Sequence, residues 1–119
     1  MIMGPIRCDI STFACCVEIV REKMFEENLD WGTFSITKDI YMEAASRLHK
    51  SADTIARNTE RIANRCWDIM SHEQIMEYIG KPIKDIYAPS DMLFYLAYYV
   101  QFHKSYFLLL YERYQALYP

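Results

Sequence analysis

The sequence predicts an all-α fold: a single helical domain over residues 1–119, of about five or six helices, that contains a helix-turn-helix and ends in a long aromatic helix. Three observations predict it. Only three glycines and four prolines punctuate 119 residues, too few for the turn every ten residues or so that a β-sandwich needs. Apolar residues make up 52% of the chain, ample for one core in a chain of single-domain length. They recur at steps of three and four, the spacing of one helical face.

The elements follow in order. Ser11 is placed to cap a first helix running to about Glu27, with Phe13, Cys16, Val17, Val20 and Met24 on one face. Asn28 to Gly32 reads as a turn. Ser35 or Thr37 caps a second helix from Lys38 to about His49, with Ile40, Ala44, Ala45 and Leu48 facing inward. After a short break at Lys50-Ser51, Ser51 caps a third helix through about Ile69, and Asp53 sits in its first turn, where the positive helix end favours an anion. A short helix covers Glu73 to Tyr78 and stops at Gly80, before the breaker Lys81-Pro82. Pro89-Ser90-Asp91 opens the last helix, about 90–118.

The segment that carries functional information is Ala45-x-x-Leu48-x-x-Ser51-x-x-Thr54-Ile55. A helix-turn-helix over about 38–69 explains each position. Ala45 lets two helices approach closely, Leu48 seals their angle, Ser51 starts the second and Ile55 anchors it in the core. Along the third helix Ile55, Thr59, Ile62, Cys66 and Ile69 form one buried stripe. Thr54, Arg57, Asn58, Arg61 and Arg65 form a separate polar face. Arginine reaches guanine O6 and N7 in a major groove, and asparagine pairs with adenine, so Arg57, Asn58 and Arg61 are placed at base edges. Arg65, like Lys50 and Ser51 at the start of the helix, suits phosphate.

The formal charge of −3 is unevenly spread. From Arg47 to Arg65, five basic residues face Asp53 and Glu60, so the positive charge gathers around the expected reading helix. Double-stranded DNA is therefore the expected partner, and a sequence-specific transcription regulator the expected function. The alternative is a protein-interaction module on the same scaffold that has lost DNA binding and antagonises or partners a related regulator.

In Ser35-Ile36-Thr37-Lys38, Tyr41, Ala45, Ala52, Arg57 and Trp67, and in Pro89 before the late helix, the chain resembles the C-terminal effector domain of the stage-zero sporulation response regulator. The resemblance covers about residues 12–100. It implies an all-helical domain whose third helix in this stretch enters the major groove, and binding to short DNA boxes as head-to-tail pairs. The family's groove-facing positions fall on Thr54, Ala56, Arg57, Glu60 and Arg61. Arg57 keeps the family's arginine. Thr54 and Glu60 stand in place of arginines, Ala56 in place of a glutamate and Arg61 in place of a histidine. The family's receiver domain has no room in 119 residues, and the Met1 start points to a stand-alone protein.

Beyond the resemblance, Leu93, Leu96, Val100, His103, Phe107, Leu110, Tyr114 and Leu117 follow the alternating steps of a coiled-coil seam. Phe94, Tyr95, Tyr98, Phe102, Tyr106 and Leu109 cover other faces, so the helix is apolar nearly all round. A homodimer interface through Leu96, Val100, His103, Phe107, Leu110 and Tyr114 is the expected means of burying it.

Other classes lack their signatures. No Gly-rich phosphate loop, supported Ser-His-Asp set or paired carboxylates suggests catalysis, so neither an enzyme nor a small-molecule substrate is expected. Cys8, Cys15, Cys16 and Cys66 and histidines 49, 72 and 103 lack metal-ligand spacing, so no metal or cofactor is expected. With no secretion signal, the cysteines read as reduced thiols of a cytoplasmic protein. The nine apolar residues from Met92 to Val100 are too few for a membrane span.

Overall fold

A computed structural model describes residues 10–30, 33, 35–81 and 88–117, and these form an all-α fold with no strand among the described residues. The expected turn residues Trp31 and Gly32, the breaker Pro82, Cys8, Tyr118 and Pro119 lie outside them.

Helix α1 (Ile10–Arg21) already contains Ile10, so Ser11 lies in its first turn rather than capping it. All five residues of the expected face are buried, Met24 in the turn that follows, and Thr12 and Ile19 are buried as well, which widens the stripe to a broad arc. The helix runs on as a π-helical turn, Glu22–Glu26, closed by the Glu27 amide donating to the Glu22 carbonyl at 2.9 Å. Asn28 ends it in the left-handed region (φ 57°).

Ser35, rather than Thr37, caps the next element. Its hydroxyl accepts from the Lys38 amide at 3.2 Å, and its own amide donates to the Asp39 carboxylate at 2.6 Å. A π-helical segment, Ile36–Tyr41, leads into α2 (Met42–Leu48). The element therefore starts two residues before the expected Lys38, because the Ser35–Asp39 bracket satisfies the free amides one turn earlier. Ile40, Tyr41 and Ala44 are buried, with Ala45 and Leu48 half-buried against the same core. His49, at φ 55°, ends α2 in the left-handed region.

Helix α3 (Ala52–Ile69) has the expected bounds. Ile55, Thr59, Ile62 and Cys66 are buried, joined by Ala63, and Ile69 is half-buried. Its axis is fixed to α1 by apolar packing and by a hydrogen bond shared between the Cys16 thiol and the Thr59 hydroxyl, 3.4 Å apart. Burial pushes the thiols of Cys16 and Cys66 up to about 11. Helix α4 (His72–Tyr78) starts with a reciprocal box in which Ser71 and Gln74 side chains satisfy each other's amides. Helix α5 (Ser90–Phe102) packs against both α1 and α3, placing Met92, Leu93 and Ala97 in the core.

The expected continuous helix over 90–118 is two helices. After α5, His103 turns left-handed (φ 56°), and α6 (Tyr106–Leu117) begins after Ser105. Buried Ser105 caps α6 by accepting from the Leu108 amide at 3.2 Å, and the Phe107 amide donates to the Ile79 carbonyl at 3.3 Å. These contacts satisfy the first amides of α6, which lets the chain break where Gln101, His103, Lys104 and Ser105 interrupt the apolar run. The expected seam is thereby divided, with Leu96 and Val100 on α5, His103 in the bend, and Phe107, Leu110 and Tyr114 on α6. No described helix is long and apolar enough to cross a membrane.

Gly80 is where α6 meets the body. Its φ is 92°, and a Cβ there would collide with the Ser105 hydroxyl and crowd the Leu108 amide. Gly80→Ala is expected to cost about 2 kcal/mol, through left-handed strain and the lost seat of α6, read as a lower urea midpoint. The buried thiols set an alkaline limit. Their folded values lie above the ordinary value near 9, so their contribution is intact below pH 9 and is lost as pH rises to about 11. Unfolding midpoints should fall across that window, and Cys66→Ala should flatten the fall.

Candidate nucleic-acid interface

The polar face of α3 is built by default. With Ile55, Thr59, Ile62, Ala63 and Cys66 turned inward, the opposite side of the 18-residue helix is left exposed, with none of the described elements covering it. Arg57, Arg61 and Arg65 stand exposed there, and none has a hydrogen bond or ion pair among the described residues. Glu60 and Asp68, placed within reach along the helix, form no ion pair with them. The ridge thus carries three arginines with uncommitted donors.

Two other described arginines, Arg21 and Arg47, are committed. Arg47 reaches Glu22 at 2.7 Å and Glu43 at 3.1 Å, and both contacts hold its guanidinium further into the charged form. Arg21 is held in the same way by Glu18 and Glu26. The gathering of positive charge from Arg47 to Arg65 is therefore smaller at the surface than the sequence count implies. Arg47 is neutralised by Glu22 of the turn after α1 and Glu43 of α2, and the Lys50 ammonium donates to the Thr12 hydroxyl at 3.4 Å. The arginines that face outward uncommitted are Arg57, Arg61 and Arg65, sharing α3 with Asp53, Glu60 and Asp68, and Lys50 is exposed just before the helix.

The remaining candidates separate into two groups. Ser51 and Thr54 are occupied in starting the helix: the Ser51 hydroxyl accepts from the Thr54 amide at 3.2 Å and donates to the Thr54 hydroxyl at 2.8 Å. They position the ridge rather than extend it. Asn58 is half-buried at its edge. Sequence reasoning missed Asn64, which is exposed and follows Arg57 and Arg61 at seven and three residues, so it falls beside Arg57 at one edge of the ridge. Its spacing alone was a sufficient signal. Glu60 lies on the flank towards Tyr41, whose phenol is pushed up by burial first and by the Glu60 carboxylate second.

The ridge is rigidly mounted. The turn His49–Ser51 holds α2 against the start of α3 by left-handed His49, with the His49 and Lys50 amides donating to the Ala45 carbonyl. No set of three His, Cys, Asp or Glu side chains among the described residues is arranged to hold a metal ion. No protein-family model, curated protein or solved structure matches the chain.

The two groups should respond differently to truncation. Ser51→Ala is expected to lower stability by about 1 kcal/mol, the usual value of an N-cap. Asn64→Ala, exposed and without a hydrogen bond among the described residues, should stay within about 0.5 kcal/mol of the parent in the same urea titration.

Proposed function

We propose that this chain is a sequence-specific double-stranded DNA-binding transcription regulator, reading the major groove with the outer face of α3. The observation that supports this reading is the ridge Arg57–Arg61–Asn64–Arg65, exposed and uncommitted, on a helix whose start is fixed by a capped turn after α2. Arginine donors with no internal partner are available to guanine edges and phosphate oxygens, and Asn64 adds a group able to pair with adenine. The resemblance of residues 35–67 to the sporulation effector domain supports the same placement, with α2 and its turn as the first half of a helix-turn-helix and Arg57 at the family's arginine. Arg57 and Arg61 contact base edges, and Arg65 and Lys50 contact phosphate.

One observation favours a second reading. Asp53, Glu60 and Asp68 give α3 as many acidic as basic side chains, and a charge-balanced face suits a protein partner better than a polyanion. On that reading the scaffold serves an antagonist or partner of a related regulator.

Selection from a random duplex library separates the two. DNA binding predicts an enriched motif that Arg57→Ala/Arg61→Ala abolishes, with about 10–100-fold weaker affinity for each arginine lost. Arg65→Ala should weaken all sequences alike and shallow the dependence of affinity on salt. No enrichment at low salt from folded protein would discard DNA binding in favour of the interaction module.

A further inference from the structure

The C-terminal pair α5–α6 carries a feature that its bent form leaves unused. Val100, His103, Phe107, Leu110, Tyr114 and Leu117 keep the three- and four-residue steps of one helical seam straight across the bend. No glycine or proline stands between Phe102 and Tyr106, the residues that ordinarily fix a break. His103 instead adopts the left-handed conformation without being glycine, and Ser105 is buried at the joint.

Helix α6 is held at its first turn, where Tyr106 packs edge-on against Phe94 and Tyr98 and Phe107 lies against Tyr95, but the rest of it gains little from this arrangement. None of its side chains is fully buried, and Leu110, Tyr111, Tyr114 and Leu117 are 41–67% exposed, with Val100 at 48% at the end of α5. At the areas that large side chains bury, these five present roughly 500 Å² of apolar surface, already at the upper range for the largest patch on a monomer. Phe107 is held back beneath the Lys81 ammonium, 5.4 Å from its ring centroid. Freeing it carries the patch towards the ~800 Å² per partner of a stable interface.

We propose that residues 90–117 form a two-state element: bent at His103 in the monomer, and straightened into one continuous helix that pairs along this seam with a second copy of the chain. Straightening removes the left-handed residue and restores helical hydrogen bonds across 103–106. It gives up the Ser105 cap, the bond from the Phe107 amide to the Ile79 carbonyl, the ion pair of Lys104 with Glu112 at 2.9 Å, and the packing of Tyr106 and Phe107 against Phe94, Tyr95 and Tyr98. A single chain has no apolar surface with which to offset that loss, and a second seam supplies it. Leu93 stays in the core in both states, so the part from Val100 onward moves, and Phe94, Tyr95 and Tyr98 are uncovered for the second copy. This pairing is independent of whether α3 binds DNA.

The test is sedimentation velocity over a concentration series on the full chain and three variants. His103→Gly favours the left-handed bend and disfavours a continuous helix, so it should weaken the dimer by about tenfold or more. His103→Leu disfavours the bend and extends the seam, so it should tighten the dimer by a similar factor. Leu110→Asp/Leu117→Asp, at exposed positions that leave the fold intact, should be monomeric. A chain that stays monomeric at high micromolar concentration, with His103→Leu monomeric too, overturns the proposal. So does a dimer whose affinity ignores residue 103, since association would then not involve straightening.

Discussion

The structure depends on the burial of α1 over a wide arc. Six consecutive-turn positions, Thr12, Phe13, Cys16, Val17, Ile19 and Val20, are removed from water, and one neighbouring helix cannot cover that breadth. Helices α3 and α5, packed against each other as well, cover it together, α3 with Ile55, Thr59 and Ile62, α5 with Met92, Leu93 and Ala97. Once both are used in this way, the rest of the architecture is largely determined. The far side of α3 meets no further layer among the described residues and is exposed. Helix α6, coming last, finds the core already closed; it rests on the Ile79–Gly80 corner and, through Tyr106 and Phe107, on the α5 aromatics Phe94, Tyr95 and Tyr98.

That hierarchy explains what was legible in the sequence. The inward stripes of α1 and α3, the Ser51 cap and the late start at Pro89 are local signals, each carried by residues within two or three turns of one another. They were readable because a helical face and its cap need no knowledge of the partner. Thr12 and Ile19 were not, since one stripe suffices for a helix with one neighbour and α1 has several. The break at His103 was missed for a related reason. It is made by Gly80 and Ile79, more than twenty residues away, accepting Ser105 and Phe107. The polar quartet 101–105 marked where the run weakens, and the remote contact decides that it breaks.

Charge shows the same division between local count and tertiary use. The basic gathering around the expected reading helix came from counting Arg47 and Lys50 with the α3 arginines. Tertiary packing brings Glu22 from the π-helical turn after α1 to Arg47, twenty-five residues away, and turns it from a surface cation into a tie between two elements. The pair is half-exposed and contributes little to stability. Its larger effect is to take Arg47 out of the set of uncommitted arginines, which leaves Arg57, Arg61 and Arg65 along α3.

The two ends of the molecule are built on opposite principles. The α3 ridge projects from a helix whose inner face is locked in the core and whose start is capped, so its side chains keep a fixed spacing whatever they meet. That is the property a groove reader requires, because contacts spaced along a helix gain specificity only if the helix does not adjust. The α5–α6 segment keeps a helical periodicity that its own bend contradicts, at the cost of one left-handed histidine and an exposed aromatic stripe. A sequence that agrees with a continuous helix and a structure that interrupts it are in local conflict, and such conflicts concentrate where an element has more than one use. The core tolerates the conflict because its α5 members, Met92, Leu93 and Ala97, all precede the part that would move.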